Sequence, residues 1–181
     1  MRTKFLLHIG IFCIVLGSCD SKQKNLRSKV RDFVGSEIII PKSLLLFNNE
    51  NGMVDRDAIC KFIFYVDSLN CSECLISHAG YSLQFFASLF DHNNFSLNII
   101  FETQDIQSIE NIFNRFDLKL PYFIDFNGDF ERQNKIPQEE LFHTFMTVND
   151  TVVLVGDMVR NRKMQDLYVE QIKELIKKDF N

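Results

Sequence analysis

The chain has 181 residues, of which 46% are hydrophobic, and a formal net charge of -4 at pH 7. This length and apolar content suffice for one domain with a sizeable core, and 19 Phe against no Trp predict packing of Phe on aliphatic side chains. A negative charge without a basic stripe that alternates with aromatic residues argues against nucleic acid as a partner. Five cysteines are too few for a disulfide-stapled scaffold, so their individual positions must decide their roles.

The first 18 residues have the pattern of an export signal. Two basic residues among the first four precede an apolar run over 5–16, and two small residues then precede Cys19. The run is shorter than the roughly 20 apolar residues that span a bilayer. We therefore predict a signal peptide over residues 1–18, which removes Cys13 from the mature protein. The mature chain keeps 18 basic and 24 acidic side chains, a formal charge of -6.

The tetrad Leu16-Gly17-Ser18-Cys19 resembles the lipobox of bacterial lipoproteins. This resemblance implies cleavage before Cys19, diacylglycerol on its sulfur and acylation of the new amino group. Several acyl chains, at ~0.8 kcal/mol per buried CH₂, anchor a protein stably, whereas a single chain gives marginal binding. The expected location is the bacterial cell envelope, with the protein anchored to a lipid bilayer and facing outside the cytoplasm.

The segment 19–34 is predicted to be a lipidated tether that ends in a short helix. Its first part is polar and rich in Ser and Lys, and residues 27–33 have helical spacing before Gly35. Two short extended pieces follow, one of which is expected to form a strand at the edge of a sheet. Residues 35–181 contain no further linker and no internal repeat, and are predicted to be one domain.

The stretch 61–90 contains the strongest pattern in the chain. Residues 62–66 form an apolar run without polar alternation, which predicts a central strand covered on both faces. After Asn70, apolar residues recur at helical spacing, so Cys71 and Cys74 fall on the first turn of an amphipathic helix. Unpaired N–H groups and the positive end of the helix dipole favour a thiolate there. Cys71 is therefore the expected nucleophile, and Cys74 its resolving partner.

The remaining elements alternate between strands and helices. Hydrophobic periodicity and turn residues predict a strand over 95–101, a helix over 105–116, a strand over 121–126, a loop or short helix over 130–140 broken at Pro137, a hairpin over 141–148 and 152–156, and a last helix over 162–179.

A strand, CxxC, a helix, a strand, a helix, a β-hairpin and a final helix is the order of the thioredoxin fold. The chain resembles thioredoxin-like proteins of the TlpA/ResA type over about 35–180. The resemblance implies an α/β fold with a central mixed sheet of about four to five strands flanked by helices. It also implies that Cys71 and Cys74 are the active-site pair.

Three positions near the pair depart from the pattern of that family. Tyr65 stands where the family often has a buried acidic residue that moves protons, and Glu73 places a negative charge beside the thiols. His143 takes the place of the cis-proline at the start of the hairpin strand, with Pro137 upstream as the alternative. A protonated His143 is expected to stabilise the Cys71 thiolate and to offset Glu73 in part.

The expected function is thiol-disulfide exchange on other exported proteins that carry thiols or disulfides, with a membrane or periplasmic reductant as the second partner and no bound cofactor. Two alternatives remain. One is a metal-binding or metallochaperone module that uses Cys71, Cys74 and a histidine, which is His143 or, with less support, His78. The other is a redox-inactive interaction domain. Cys60, at the start of the central strand, is expected to be a buried apolar residue and not a third redox partner.

The lipobox resemblance predicts that Cys19 carries the lipid. Cys19→Ala should release the protein from membranes or block its processing, because the acyl chains are the predicted anchor. Membrane fractionation together with the mass of the mature chain measures both effects, and Cys13→Ala is the matched control. Membrane association of the Cys19→Ala protein at the mature mass would contradict the assignment.

Overall fold

A computed structural model describes residues 23–49, 53–89 and 95–179. The predicted signal peptide, Cys19 and the first residues of the tether lie outside these ranges. Among the described residues, no helix is both long and apolar enough to cross a membrane.

Within the described ranges the chain forms six strands, five α-helices and one 3₁₀ helix. In chain order they are α1 (residues 23–33), β1 (Leu45–Phe47), β2 (Cys60–Val66), α2 (Ser72–Leu89), β3 (Phe95–Glu102), α3 (Ile106–Arg115), β4 (Tyr122–Asp125), α4 (Asp129–Asn134), the 3₁₀ helix (Glu140–Phe142), β5 (Thr144–Val148), β6 (Thr151–Val155) and α5 (Arg162–Asp179).

The six strands form one mixed sheet with the order β1-β4-β3-β2-β5-β6. Strands β2, β3 and β4 are parallel, whereas β1, β5 and β6 each run antiparallel to their neighbour. The carboxyl ends of the three parallel strands therefore lie at one edge of the sheet. The connections that leave this edge lead into α2, α3 and α4.

All seven residues of β2 are buried, because helices cover both faces of the sheet. One face carries α2, α3 and α5 around a core that includes Phe62 and Phe64. The other face carries α1 and α4 around a second core that includes Ile63 and Tyr65. Alternate side chains of one strand thus enter two different cores, as the uninterrupted apolar run predicts.

The predicted α/β, thioredoxin-like architecture is confirmed, with three differences in detail. The sheet has six strands and not four to five, because the edge strand β1 and both hairpin strands join it. The first hairpin strand begins at Thr144 and not at 141, since residues 140–142 form the 3₁₀ helix. Helix α2 begins at Ser72, so that Cys71 is the residue just before its first turn.

Helix α1 is part of the packed domain. Phe33 is buried in the second core, and Leu26 and Val30 pack against that core. The helix is followed by a turn at Gly35, whose φ of 91° is accessible to glycine at little cost. The Gly35 N–H then donates to the Val152 carbonyl at 2.8 Å, which attaches the end of α1 to β6.

Arg56 attaches the segment before β1 to the sheet. Its guanidinium donates to the carbonyls of Ile40, Pro41 and Leu44 at 3.2, 2.7 and 3.1 Å, and lies 4.9 Å from the centre of the Phe123 ring. Burial of the guanidinium lowers the pKa of Arg56. The planar fork of arginine matches several carbonyls at once, which a single ammonium cannot do.

Arg56→Lys should therefore destabilise the domain although it keeps the charge. Loss of two or three carbonyl hydrogen bonds, at about 1 kcal/mol each, predicts a decrease of about 2–3 kcal/mol in the free energy of unfolding. Urea denaturation measures it. The control is Arg162→Lys at an exposed site on α5, which should stay within about 0.5 kcal/mol. Equal stability of the two variants would show that the fork geometry is not needed.

Candidate active site

Cys71 and Cys74 form a disulfide at the carboxyl edge of the sheet, with their Cα atoms 5.2 Å apart. Both residues are exposed. The Cys71 sulfur accepts a hydrogen bond from the Cys74 N–H at 3.2 Å, and the Cys71 carbonyl accepts from the Leu75 N–H at 3.0 Å. Cys71 thus caps the start of α2, and the donor on its sulfur, together with the helix dipole, favours a thiolate in the reduced protein.

Asp67 organises the loop that leads from β2 to the disulfide. Its Oδ1 accepts hydrogen bonds from the N–H of Leu69 at 3.1 Å, from the N–H of Asn70 at 2.9 Å and from the Asn70 side chain at 2.7 Å. Asp67 itself is buried, whereas the Leu69 side chain is 88% exposed. The loop therefore presents an apolar side chain to solvent two residues before Cys71.

His143 is buried beneath this loop. It follows the 3₁₀ helix and directly precedes β5, and its carbonyl accepts from the Tyr65 N–H at 2.8 Å, which extends the pairing of β5 with β2. The imidazole Nε2 lies 3.9 Å from Asp67 Oδ2, and the ring stands edge-on to Tyr65 with centroids 5.2 Å apart. The imidazole also makes a hydrogen bond with the backbone of Pro137.

Burial lowers the pKa of His143, although the charges of Asp67 and Glu131 and the hydrogen bond to Pro137 oppose this effect. The imidazole is therefore mainly uncharged at neutral pH. The expected role as a cation that stabilises the Cys71 thiolate does not suit this environment. A neutral imidazole held by a carboxylate is suited to accepting and returning a proton.

A cavity of about 20 Å³ lies between the imidazole and the start of α2, lined by Asn70, Leu75 and His143 among others. This volume is enough for about one water molecule. Arg160 and Glu140, which form an ion pair, contribute to its wall. Neither Cys71 nor Cys74 lines this cavity.

Tyr65 is fully buried, and its hydroxyl lies between two carboxylates. It is 2.5 Å from Glu102 Oε2 and 3.3 Å from Glu131 Oε2. Burial first, and then the two neighbouring carboxylates, raise the pKa of Tyr65, so it stays protonated and donates. Glu102 and Glu131 also line a cavity of about 860 Å³ between α1 and α4, which does not include the disulfide.

Glu73 forms an exposed ion pair with Arg115 of α3. The expected effect of Glu73 on the thiols is thereby reduced, because a positive charge from a neighbouring helix lies against the carboxylate. The sequence pattern did not indicate this partner.

The structure does not bring the alternative metal ligands together. Cys71 and Cys74 are exposed, whereas His143 is buried and faces Asp67, and His78 is exposed on α2. No group of three side chains of the metal-binding types is close enough to hold an ion in the described part of the chain. Cys60 is buried at the opposite end of β2, as expected.

None of the peptide bonds of the described residues is cis, so the cis-proline of the resembled family has no counterpart among them. His143 occupies the place just before β5, and Pro137 contributes its backbone to the imidazole. His143 and Pro137, the two candidates for the place of that proline, are therefore in contact with each other.

Comparison with solved structures defines the class of fold. A thioredoxin-like protein from Porphyromonas gingivalis is 17% identical over 78% of this chain and 94% of its own, with a TM-score of 0.54. A proposed protein disulfide isomerase from Bacteroides thetaiotaomicron is 12% identical over 80% and 94%, with a TM-score of 0.55. A proposed thiol:disulfide interchange protein DsbE from Chlorobium tepidum is 12% identical over 75% and 96%, with a TM-score of 0.51.

These likenesses show that the chain has a thioredoxin-like fold, as the order of its elements predicted. Within that fold, this chain carries a disulfide-bonded Cys71-Ser72-Glu73-Cys74 motif at the start of α2. No protein-family model and no curated protein matches it.

The sequence indicates the cysteines, Tyr65 and His143 but not the two carboxylates around Tyr65. It also predicts Asp67 on the opposite face of the strand from Tyr65, whereas in the structure Asp67 faces His143. Asp67 lies just beyond the end of β2, so the alternation of side chains along a strand does not determine which way it faces. Glu102 ends β3 at the same edge as the motif, which is a weaker signal. Nothing in the local sequence of Glu131 points to Tyr65.

Asp67→Asn should lower the pKa of His143 further, because it removes the nearest negative charge while an amide oxygen can still accept the loop hydrogen bonds. The pKa of His143 is lower in the folded protein than its unfolded value of about 6.5. The contribution of His143 to stability is therefore fully present above a pH of about 6.5, and it decreases as the pH falls toward the folded pKa. Imidazole titration by NMR measures the shift, and denaturation at neutral and acidic pH measures the stability.

The Asp67→Asn protein should lose more stability on acidification than the native protein does, by about 1.4 kcal/mol for each further pKa unit. His143→Gln provides the control, since it removes the titrating group and identifies its resonance. An unchanged imidazole pKa in Asp67→Asn would contradict the electrostatic coupling of the two side chains.

Proposed function

We propose that the protein is an exported, lipid-anchored thiol-disulfide oxidoreductase that acts on disulfides of other exported proteins through Cys71 and Cys74. The observation that carries this proposal is the exposed disulfide at the start of α2, with a backbone N–H directed at the Cys71 sulfur. The thioredoxin-like fold supports it, because that fold presents the motif at the accessible edge of the sheet.

The first step starts from the reduced pair. The Cys71 thiolate attacks one sulfur of a substrate disulfide, a mixed disulfide forms, and the second substrate sulfur leaves as a thiolate and takes up a proton. The Cys74 N–H and the dipole of α2 favour the attacking thiolate. The exposed Leu69 offers an apolar contact for the polypeptide that carries the disulfide.

The second step resolves the mixed disulfide. Cys74 loses its proton and attacks the Cys71 sulfur, so the Cys71–Cys74 disulfide forms and the substrate leaves as a dithiol. Cys74 is exposed, so solvent accepts that proton. Two electrons pass from the cysteine pair to the substrate.

A dithiol partner on the membrane or in the periplasm is needed to reduce the Cys71–Cys74 pair again. Location outside the cytoplasm is supported by the signal-like residues 1–18 and by the lipobox resemblance at Cys19. A disulfide exchange enzyme is useful in such a compartment, since disulfides form and persist there.

Cys74→Ser should trap substrates, because a mixed disulfide at Cys71 then has no resolving thiol. Cells that produce this variant are quenched with acid and alkylated, and the adducts are separated without reductant and identified by mass spectrometry. Exported proteins should be bound to Cys71 and released by reductant. The matched control Cys71→Ser, with Cys60→Ser present in both proteins, should yield few adducts.

Two results would overturn the proposal. One is an equal set of adducts in the two variants, which would deny Cys71 its role as nucleophile. The other is the absence of adducts from Cys74→Ser when alkylation shows that Cys71 is reduced and reactive, which would favour a redox-inactive interaction domain.

A further inference from the structure

Helix α1 carries three positive charges on one side. Lys24, Arg27 and Arg31 are exposed and lie within about 60° of each other around the helix axis, at spacings of three and four residues. The apolar side chains that attach α1 to the second core are centred about 130° from the centre of the three cations, and Val30, the nearest of them, is about 60° from Arg27. The three cations are exposed to solvent, and we call this surface the basic face of α1.

The basic face has no counter-charge in the described part of the chain, where none of its three side chains forms an ion pair or a side-chain hydrogen bond. Lys29, on another side of the same helix, pairs with Glu139. The acidic residue of α1, Asp32, accepts from Ser28. The mature chain carries a formal charge of -6, so the charge of the basic face is opposite in sign to the net charge of the protein.

The basic face lies close to the predicted anchor. Only three residues separate Cys19 from residue 23, where the described helix begins. Four steps along the chain span at most about 15 Å. Acyl chains on Cys19 would therefore hold the start of α1 near the headgroup layer, and Lys22 adds a fourth cation to the connecting segment.

We infer that the basic face of α1 binds the anionic phospholipid headgroups of the membrane that holds acylated Cys19. The inference rests on the proposed anchor, and it assigns an orientation to the domain. Clustered lysine and arginine beside an anchor bind anionic lipid surfaces through long-range attraction. Because α2, α3 and α5 cover the opposite face of the sheet, they face away from the bilayer, and the edge with the disulfide faces sideways.

The test uses acylated protein, purified from membranes and reconstituted into vesicles. The chain contains no Trp, so Ser28→Trp on the exposed part of α1 introduces a single reporter. Brominated phosphatidylcholine in the vesicles quenches this fluorescence when α1 lies on the surface. Vesicles of phosphatidylcholine with phosphatidylglycerol should give at least about threefold more quenching than vesicles of phosphatidylcholine alone, and added salt should reverse the difference.

Charge reversal identifies the surface responsible. In the reporter protein, the triple variant Lys24→Glu, Arg27→Glu, Arg31→Glu should lose the additional quenching while remaining in the vesicle fraction. The matched control reverses three exposed cations of α5 and makes the same change in net charge, and it should retain the quenching. The control substitutions are Arg162→Glu, Lys163→Glu and Lys173→Glu.

Failure of the anchor and failure of this inference are distinguishable. A reporter protein that leaves the vesicles with its basic face intact contradicts the anchor. A protein that stays on the vesicles but shows equal quenching with and without phosphatidylglycerol contradicts the inference, as does quenching that survives reversal of the α1 charges. An α1 reporter that responds to an added acidic protein and not to lipid would overturn it in favour of a protein partner.

Discussion

Burial of β2 on both faces is the constraint on which the rest of the structure depends. Its alternate side chains complete two separate cores, so the strand must lie at the centre of the sheet with helices above and below. The chain leaves β2 at the carboxyl edge, and the next helix has to start there in order to cover Phe62 and Phe64. The covered strand ends at this edge, and the disulfide lies a few residues beyond that end, where both cysteines are exposed.

Three buried side chains with polar groups, those of His143, Asp67 and Tyr65, lie at the carboxyl edge of the sheet. His143 and Asp67 are adjacent to the loop and to the small cavity, whereas Tyr65 connects the region to Glu102 and Glu131. Tyr65 lies in β2 and Asp67 directly after it, whereas His143 precedes β5, and the pairing of β2 with β5 brings these residues together. Burial of the imidazole is tolerated because Asp67 faces one side of it and Pro137 provides a hydrogen bond.

Sequence reasoning predicted the elements whose pattern is local. The apolar run of β2 and the helical spacing after Cys71 depend on neighbouring residues alone, and the structure places both within a residue or two of the prediction. Residues 141–143 were assigned to a strand because apolar residues at the start of a hairpin fit either state, and the 3₁₀ helix depends on packing instead. The contact of Asp67 with His143 joins residues far apart in the chain, so no local pattern reports it.

The contacts of Tyr65 limit which substitutions this position can accept. The thioredoxin-like pattern that this chain resembles often has an acidic residue there. In this protein the hydroxyl of Tyr65 lies between Glu102 and Glu131, whose nearest oxygens are within about 6 Å of each other. An acidic residue at 65 would add a third carboxylate to this cluster and remove the hydroxyl that the other two share. The effect of an acidic residue at 65 therefore depends on the residues at 102 and 131, and loss of the charge of Glu102 or Glu131 would make it less costly.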